Sequence, residues 1–253
     1  MNKQVFSNSH STLAAALRNG VTLFGDSISK GLYLENGRIC RIERSAVALL
    51  QARYSVPVEN FSAFGQTLKK CEQKGFFEQF MQTSPHGAPV IALGGNDCDY
   101  RWEDVAKAPL AHHEPNTPIE EFGDILERVI ARLAEQGSLP IFMSLPPIDS
   151  ERYFRNVISR RADGERVMEF FGGDVTNIAR HQEAYNAVIM QKAIGHGCIF
   201  IDFRTQLLLK RNFLEYLSDD GIHPNQKGHE EIAQLIAQFA DPIFAGAPAG
   251  QTL

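Results

Sequence analysis

The sequence predicts an α/β protein, a three-layer α/β/α sandwich with a parallel sheet at its centre. Short apolar runs alternate with longer stretches of helical spacing, which is the pattern of a parallel sheet covered on both faces. The chain has 253 residues, an ordinary length for one α/β domain, and 43% of them are hydrophobic. Right-handed crossovers between the strands then favour a doubly wound sheet.

Five apolar runs are the candidate strands, and helices are expected between them. The strands are predicted at Val21 to Phe24, Val56 to Asn60, Pro89 to Leu93, Leu139 to Met143 and Cys198 to Ile201. The helices are predicted near residues 40–53, 66–82, 118–136, 178–194 and 227–240. In the third helix, apolar residues fall three or four positions apart from Ile119 to Leu133, so that one face packs on the sheet.

The whole chain, 1–253, is expected to form one domain with a core at about 21–239. Two long connections, at about 98–118 and 146–177, follow the carboxyl end of a predicted strand. Ligands bind at that edge of open α/β sheets, so we expect both connections to form walls of a pocket. The tail, 241–253, is predicted to be flexible.

Charge and cysteine content narrow the class of protein. The chain carries 25 Lys and Arg against 30 Asp and Glu, a net charge of −5, which argues against nucleic acid as a partner. Its four cysteines are far apart and form no CxxC pair, as expected for reduced thiols in a cytoplasmic protein. The apolar stretch from Leu13 to Leu17 is too short for a secretory signal, and no run approaches the ~20 residues of a membrane span.

No cofactor and no metal are expected. No Gly-x-Gly-x-x-Gly follows a strand, and the segment around Ser27 does not fit the phosphate-binding Gly-x-x-x-x-Gly-Lys pattern. The adjacent His112 and His113 would point apart and lack the i, i+4 spacing of a zinc helix. The sequence gives no indication of the oligomeric state.

The first run ends as VTLFGDSIS, which places Ser27 at the carboxyl edge of the first strand, where a helix or turn begins. Backbone N–H groups exposed at such a start can stabilise an oxyanion. The alternative is that Asp26 and Ser27 only cap a helix. Ser29 is a second, less favoured hydroxyl.

Two further segments offer hydrogen-bond donors after strands. Gly65 follows the second strand, and a glycine lets the backbone adopt positive φ and approach a ligand closely. Asn96 follows the third strand in VIALGGNDCD, where its side-chain amide can donate to an oxyanion without carrying charge. Taken alone, both segments are better explained as turns.

Near the carboxyl end, Asp220 and His223 lie three residues apart, just before the last predicted helix. A serine hydroxyl needs an imidazole to accept its proton, and the imidazole needs a carboxylate on its other nitrogen. Asp-x-x-His supplies both groups on one turn. Asp202, after the fifth strand, is an alternative carboxylate.

Together these four blocks resemble the SGNH hydrolase superfamily, the GDSL-type esterases and lipases, over about residues 21–239. The blocks are Gly25-Asp26-Ser27, Gly65, Gly94-Gly95-Asn96-Asp97 and Asp220-Gly221-Ile222-His223. Ile28 replaces the Leu of the first block. The resemblance implies the SGNH hydrolase fold, a flavodoxin-like five-stranded parallel sheet.

The resemblance also implies catalytic roles. Ser27 would be the nucleophile, His223 the general base and then acid, and Asp220 its partner. The oxyanion would be held by the backbone N–H groups of Ser27 and Gly65 and by the side chain of Asn96. The absence of a Gly-x-Ser-x-Gly elbow argues against the α/β-hydrolase alternative.

We therefore expect a serine esterase that hydrolyses a small-molecule, short-chain ester, such as an acetylated sugar, through an acyl-enzyme. The aromatic and charged residues of the two connections are candidate substrate contacts: Arg101, Trp102, Tyr153 and Arg155. A lysophospholipase, thioesterase or acyltransferase would use the same triad. The alternative from another class is a non-catalytic module that binds a carbohydrate or metabolite.

Overall fold

Five parallel strands form the central sheet. A computed structural model describes residues 12–35 and 38–245. The strands are β1 (Val21–Gly25), β4 (Val58–Asn60), β5 (Ala88–Ala92), β6 (Ile141–Met143) and β7 (Ile199–Ile201), in the order β4-β1-β5-β6-β7. Val21 pairs with Val58 on one side and with Ala88 on the other. The predicted three-layer sandwich with a five-stranded parallel sheet is confirmed.

Helices cover both faces of the sheet. They are α1 (residues 12–19), α2 (Ala46–Tyr54), α3 (Leu68–Gln73), α4 (Phe76–Thr83), α5 (Trp102–Lys107), α6 (Ile119–Glu135), α7 (Ser150–Tyr153), α8 (Ser159–Arg161), α9 (Gly164–Phe170), α10 (Asn177–Gly195), α11 (Arg204–Leu208) and α12 (Gln226–Ala245). A π-helical turn spans Phe154–Ile158 and a 3₁₀ turn spans Phe213–Tyr216. Within the described residues, no helix combines the length and apolarity needed to cross a membrane.

The two faces of the sheet pack against different helices. The first, which we call the sealed face, consists of Phe24, Ile91, Leu93 and Phe142, and packs on α3, α4, α6 and α10. The second, the open face, consists of Val21, Leu23, Val90, Ala92, Ile141, Met143 and Ile201, and packs mainly on α1, α2 and α12. Alternate residues of a strand point to opposite sides, so both faces are drawn from the same strands.

Distant residues hold two helix N-termini in place. The imidazole Nδ1 of His229 accepts a hydrogen bond of 3.2 Å from the backbone N–H of Ala46, which ties α12 to the start of α2. Both carboxylate oxygens of Asp97 accept from the N–H of Leu68 at the start of α3. Because the first N–H groups of a helix have no partner within it, these bonds fix where the two helices begin.

The sequence-based prediction differs from the structure in several elements. Residues 38–41 are not helical but form β3 (Arg38–Arg41), which pairs with β2 (Leu32–Glu35) in an antiparallel hairpin. The helix expected over 66–82 is two helices, because Gly75 adopts a left-handed conformation with φ of +69° between them. A left-handed residue cannot continue a right-handed helix.

The first residues of the predicted flexible tail are helical. Helix α12 continues to Ala245, and the Asp241 carboxylate accepts hydrogen bonds from the Arg53 guanidinium at 2.8 Å and from the Tyr54 hydroxyl at 2.6 Å. These bonds fasten the end of α12 to α2. Residues 246–253 lie outside the described part of the chain.

The two long connections contain short helices rather than irregular loops. Helix α5 belongs to the first connection, and α7, α8 and α9 belong to the second. They share an apolar cluster that includes Trp102, Val105, Tyr153 and Val167. Both connections therefore form one wall beside the carboxyl edge of the sheet.

Candidate active site

The side chains of Ser27 and His223 meet at the carboxyl edge of the sheet although 196 positions separate them in the chain. The Oγ of Ser27 lies 2.8 Å from the Nε2 of His223, and both residues are buried. This is a normal hydrogen-bond distance, so the imidazole is placed to accept the hydroxyl proton.

The other ring nitrogen of His223 contacts Asp220. His223 Nδ1 lies 2.8 Å from Asp220 Oδ2, so with Asp220 ionised the ring donates at Nδ1 and accepts at Nε2. The same carboxylate accepts from the backbone N–H of Leu34 at Oδ2, and from those of Ile222 and His223 at Oδ1. Burial by itself raises the pKa of Asp220, but the hydrogen bonds and charge of His223 outweigh it and hold the pKa below its usual value.

The loop of Asp220 and His223 is braced from two sides. The backbone N–H of Ser218 donates to the carbonyl of His223 at 2.8 Å, and that of Asp149 donates to the carbonyl of Gly221 at 2.8 Å. Gly221 has φ of +78°, and a Cβ there would lie 2.7 Å from the carbonyl oxygen of Asp149. Glycine is therefore required at this position for both conformation and space.

Ser27 lies in a turn that covers residues 27–31, and no regular helix begins there. The carboxylate of Asp26 accepts from the N–H of Ile28 at 2.9 Å, which supports the turn. A Cβ on Gly25 would lie 2.4 Å from the Oγ of Ser29, so Ser29 packs closely over this glycine. Of the two hydroxyls weighed from the sequence, the structure brings Ser27 to His223.

Gly65 and Asn96, the expected oxyanion donors, line the same cavity as Ser27 and His223. Gly65 has φ of +66°, and no heavy atom lies within 4 Å of where its Cβ would be, so its backbone is open to a ligand. The Asn96 amide donates to the Gln66 carbonyl at 3.1 Å and lies 3.5 Å from the carboxylate of Asp26. The contact with Asp26 is long enough to be exchanged for one with a substrate oxygen.

Three aspartates lie beside the site, Asp26 and Asp97 buried and Asp99 half-buried, which the sequence did not reveal. Burial raises the pKa of Asp26, Asp97 and Asp99 to about 6 each, against the stabilising effect of their hydrogen bonds. The sequence indicates Asp26 only as a helix cap and as a member of the first block, because its contact with Asn96 depends on how β1 and β5 pair.

The alternative carboxylate, Asp202, has a different role. Its two oxygens accept from the backbone N–H of Thr205 at 3.0 Å and from the Thr205 hydroxyl at 2.6 Å, so it supports the first turn of α11. Its side chain is exposed. The structure brings Asp220, and not Asp202, to His223.

The four candidate substrate contacts divide into two groups. Arg101, Trp102 and Tyr153 line the cavity, with Trp102 donating to the Tyr153 hydroxyl at 3.3 Å and that hydroxyl donating to Asp99 at 2.9 Å. Arg155 is exposed on the π-helical turn and lies outside the set of residues that line the cavity. A substrate contact for Arg155 stays a prediction, and it would have to be made from outside this cavity.

Histidine and cysteine side chains are placed for other roles. His112 pairs with Glu114, and His113 contacts the carbonyl of Ala108. All four cysteines are free thiols. Among the described residues, no three His, Cys, Asp or Glu side chains are grouped so as to hold a metal ion.

The site is one hydrogen-bonded chain of a hydroxyl, an imidazole and a carboxylate at the carboxyl edge of a parallel sheet. This arrangement defines a class, the α/β serine hydrolases. Comparison with known proteins identifies the family within that class. The sequence profile of the GDSL-like lipase/acylhydrolase family matches residues 23–231. The chain belongs to this family of ester-hydrolysing serine hydrolases, as the four blocks predict. A search of curated protein sequences gave no significant match.

Similar solved structures share the fold at low sequence identity. A lipase/acylhydrolase from Enterococcus faecalis is 20% identical with a TM-score of 0.60, over 92% of this chain and 99% of that one. A catalytic mutant of Axe2, an acetylxylan esterase from Geobacillus stearothermophilus, is 18% identical with a TM-score of 0.58, over 87% and 92%. The esterase EstA from Pseudoalteromonas sp. is 16% identical with a TM-score of 0.52, over 88% and 99%.

Proposed function

We propose that the protein hydrolyses carboxylic esters through an acyl-enzyme formed on Ser27. The observation that carries this proposal is the chain of two 2.8 Å contacts from Ser27 through His223 to Asp220. A module that only bound a carbohydrate or metabolite would have no need for a hydroxyl, an imidazole and a carboxylate in this order.

In the first half of the reaction, Ser27 Oγ attacks the carbonyl carbon of the ester while its proton passes to His223 Nε2. The C–O bond to the alcohol then breaks, and the imidazolium returns the proton to the departing oxygen. Asp220 stays ionised and stabilises the imidazolium. In the second half, His223 takes a proton from water as the water attacks the acyl carbon, and Ser27 regains its proton as the acid leaves.

Negative charge on the carbonyl oxygen develops in both halves. The donors proposed for it are the N–H groups of Ser27 and Gly65 and the amide of Asn96, whose hydrogens face the Gln66 carbonyl and Asp26 before substrate binds. Removing a single donor of this type typically lowers the rate ~10²- to 10³-fold. We therefore assign Asn96→Ala a loss of that size in kcat with little change in KM.

The direct experiment is a nitrophenyl ester assay of the purified protein beside Ser27→Ala, His223→Ala and Ser29→Ala. Activity should fall to background in the first two variants and persist in the third, which is the matched hydroxyl in the same turn. A fluorophosphonate should label Ser27. Full activity in Ser27→Ala, or no turnover with any ester, would overturn the proposal.

Asp220→Asn tests the role of the carboxylate separately. The amide cannot stabilise the imidazolium and favours the wrong tautomer, so kcat should fall by roughly 10³- to 10⁴-fold while the protein folds normally. An Asp202→Asn variant is the control and should keep its rate. The reverse result would move the carboxylate role to Asp202.

The chain length of the acyl group stays a prediction. The charged and aromatic connections favour a short-chain substrate, and one similar structure is described as an acetylxylan esterase. An ester panel should therefore include an acetylated sugar beside simple esters of increasing acyl length.

A further inference from the structure

The two faces of the sheet are buried to different degrees. On the sealed face, Phe24, Ile91 and Phe142 expose 0 to 1% of their surface. On the open face, Leu23, Met143 and Ile201 expose 6 to 8%, and Val21, Val90 and Ala92 are only partly buried. Val90 and Ala92 belong to the central strand and still contact solvent-sized space, so the described part of the chain leaves a void above the open face.

The helices that cover the open face border this void. Helix α12 contributes Ile236, Phe239 and Ala240 to its walls, and α2 contributes Ala46 and Leu50. These side chains line the space between helix and sheet without filling it. Protein interiors are close-packed, so an unfilled space that is large enough to hold a ligand is unusual.

This space is continuous with the active site. A single cavity of about 540 Å³ is lined by Ser27, Gly65 and His223, and from there one part extends to Trp102 and Tyr153 and another to Tyr54 and Phe244. The second part runs along Val90 of β5 and Ile236 of α12. Its depth follows from α12, on which His229 and Ala240 both line the cavity, eleven residues apart, or ~16 Å along the helix axis.

The deep part of the cavity is mostly apolar and carries no charged side chain. Its walls are mainly valine, isoleucine, leucine, alanine and phenylalanine side chains, with Gln51, Tyr54 and His229 as the polar residues. The Tyr54 hydroxyl donates to Asp241 and to the Ala237 carbonyl. Burial lowers the pKa of His229 to about 4, so this ring is neutral at pH 7. Among the described residues, its Nε2 has no hydrogen-bond partner. Apolar cavities of this kind tend to exclude water and accept hydrocarbon.

We propose that this cavity binds an extended aliphatic chain of the substrate, with the ester carbonyl at Ser27 and the chain running between the open face and α12. The inference rests on the proposed esterase function and extends it to the substrate class, an ester with a medium or long alkyl chain. The preferred source of the chain is the acyl group, which stays attached to Ser27 in the intermediate. The cavity is larger than an acetyl group requires, so this proposal departs from the short-chain expectation.

The first test is kcat/KM for nitrophenyl esters of acetate, hexanoate, decanoate and hexadecanoate. Each methylene that enters the cavity should raise kcat/KM by up to about fourfold, so hexanoate should exceed acetate by on the order of 100-fold. A parallel series of acetate esters of long-chain alcohols identifies the other source. A gain in this second series alone would assign the cavity to the alcohol. No gain in either series would overturn the proposal.

Cavity-filling variants test the location. Val90→Phe, in mid-cavity, should lower kcat/KM for decanoate at least 10-fold with acetate unchanged, and Ala240→Phe, near the bottom, should affect only the longest ester. Gln238→Phe adds the same ring to the exposed side of α12 and should change neither. Equal effects of Ala240→Phe and Gln238→Phe would contradict the assignment.

Ligand binding to the Ser27→Ala variant separates this inference from the proposed function. The cavity of this variant is unmodified, so the measurement does not depend on whether a cavity-filling variant folds. Titration calorimetry with dodecanoate should show binding to Ser27→Ala and at least 10-fold weaker binding when Val90→Phe is added. Binding without ester turnover by the wild-type protein would refute only the esterase function. Turnover of acetate esters without dodecanoate binding would refute only the cavity proposal.

Discussion

The open and sealed faces show how one sheet can supply both stability and a binding space. In β5, Ile91 is almost fully buried while its neighbours Val90 and Ala92 are partly exposed to the cavity. All three residues belong to the same strand. The difference comes from the covering helices, since the side chains of α4, α6 and α10 fill the space over the sealed face, whereas those of α2 and α12 leave a cavity over the open face. The sealed face therefore carries more of the packing energy, and the open face keeps room for a ligand.

The largest effect is expected for Ile91→Ala on the sealed face. Removing a fully buried isoleucine side chain from a close-packed core costs about 2–5 kcal/mol, and this site should lie in the upper half of that range. Urea unfolding of the variant and the wild-type protein measures the loss. A loss below 1 kcal/mol, with an unchanged m-value, would mean that the sealed face is not close-packed.

Asp97 is a buried carboxyl group at the start of α3, on the side of the sealed face, and its burial makes the stability of the protein depend on pH. The pKa of Asp97 is raised from 3.8 to about 6 by burial. Between about pH 4 and 6 the folded protein keeps a proton that the unfolded chain releases, so stability falls as pH rises through this window. Asp97→Asn should flatten the slope by at most about 1.4 kcal/mol per pH unit. Urea unfolding at several pH values tests this, and a steeper slope in the variant would contradict it.

A smaller effect is expected for Val90→Ala on the open face. The side chain already borders empty space, so its removal loses fewer contacts, and the loss should be below about 1 kcal/mol. Per carbon atom removed, the loss in free energy of unfolding should be less than half of the loss for Ile91→Ala in the same strand. Equal losses per carbon would show that the cavity is closed in solution.

The smallest effect, and one of opposite sign, is expected for Ala240→Leu. A larger apolar side chain fills part of the cavity without displacing the sheet, so stability should rise by up to about 1 kcal/mol. Thermal unfolding measures the gain. Destabilisation by more than 1 kcal/mol would indicate overpacking and hence a smaller cavity than described here.

The repeated elements of the fold could be predicted because their patterns are local. All five strands were placed within one or two residues of their observed positions, and the long α6 and α10 within one. The β2–β3 hairpin was missed, although an Asn-Gly pair in the sequence between its strands is a strong hairpin indicator. Two contacts could not be predicted at all: Leu34 N–H with Asp220, and Asp26 with Asn96. Each joins segments far apart in the chain.

The sequence by itself determined the order and type of the main elements and the four blocks that carry Ser27, Gly65, Asn96 and the Asp220–His223 pair. Periodicity, turn residues and motif spacing are properties of neighbouring positions, so a linear chain displays them. Only the tertiary structure decided that a continuous apolar space extends from Ser27 beneath α12. That space is the difference between the volume enclosed by packed layers and the volume of the side chains within it, and it exists only once those layers have assembled.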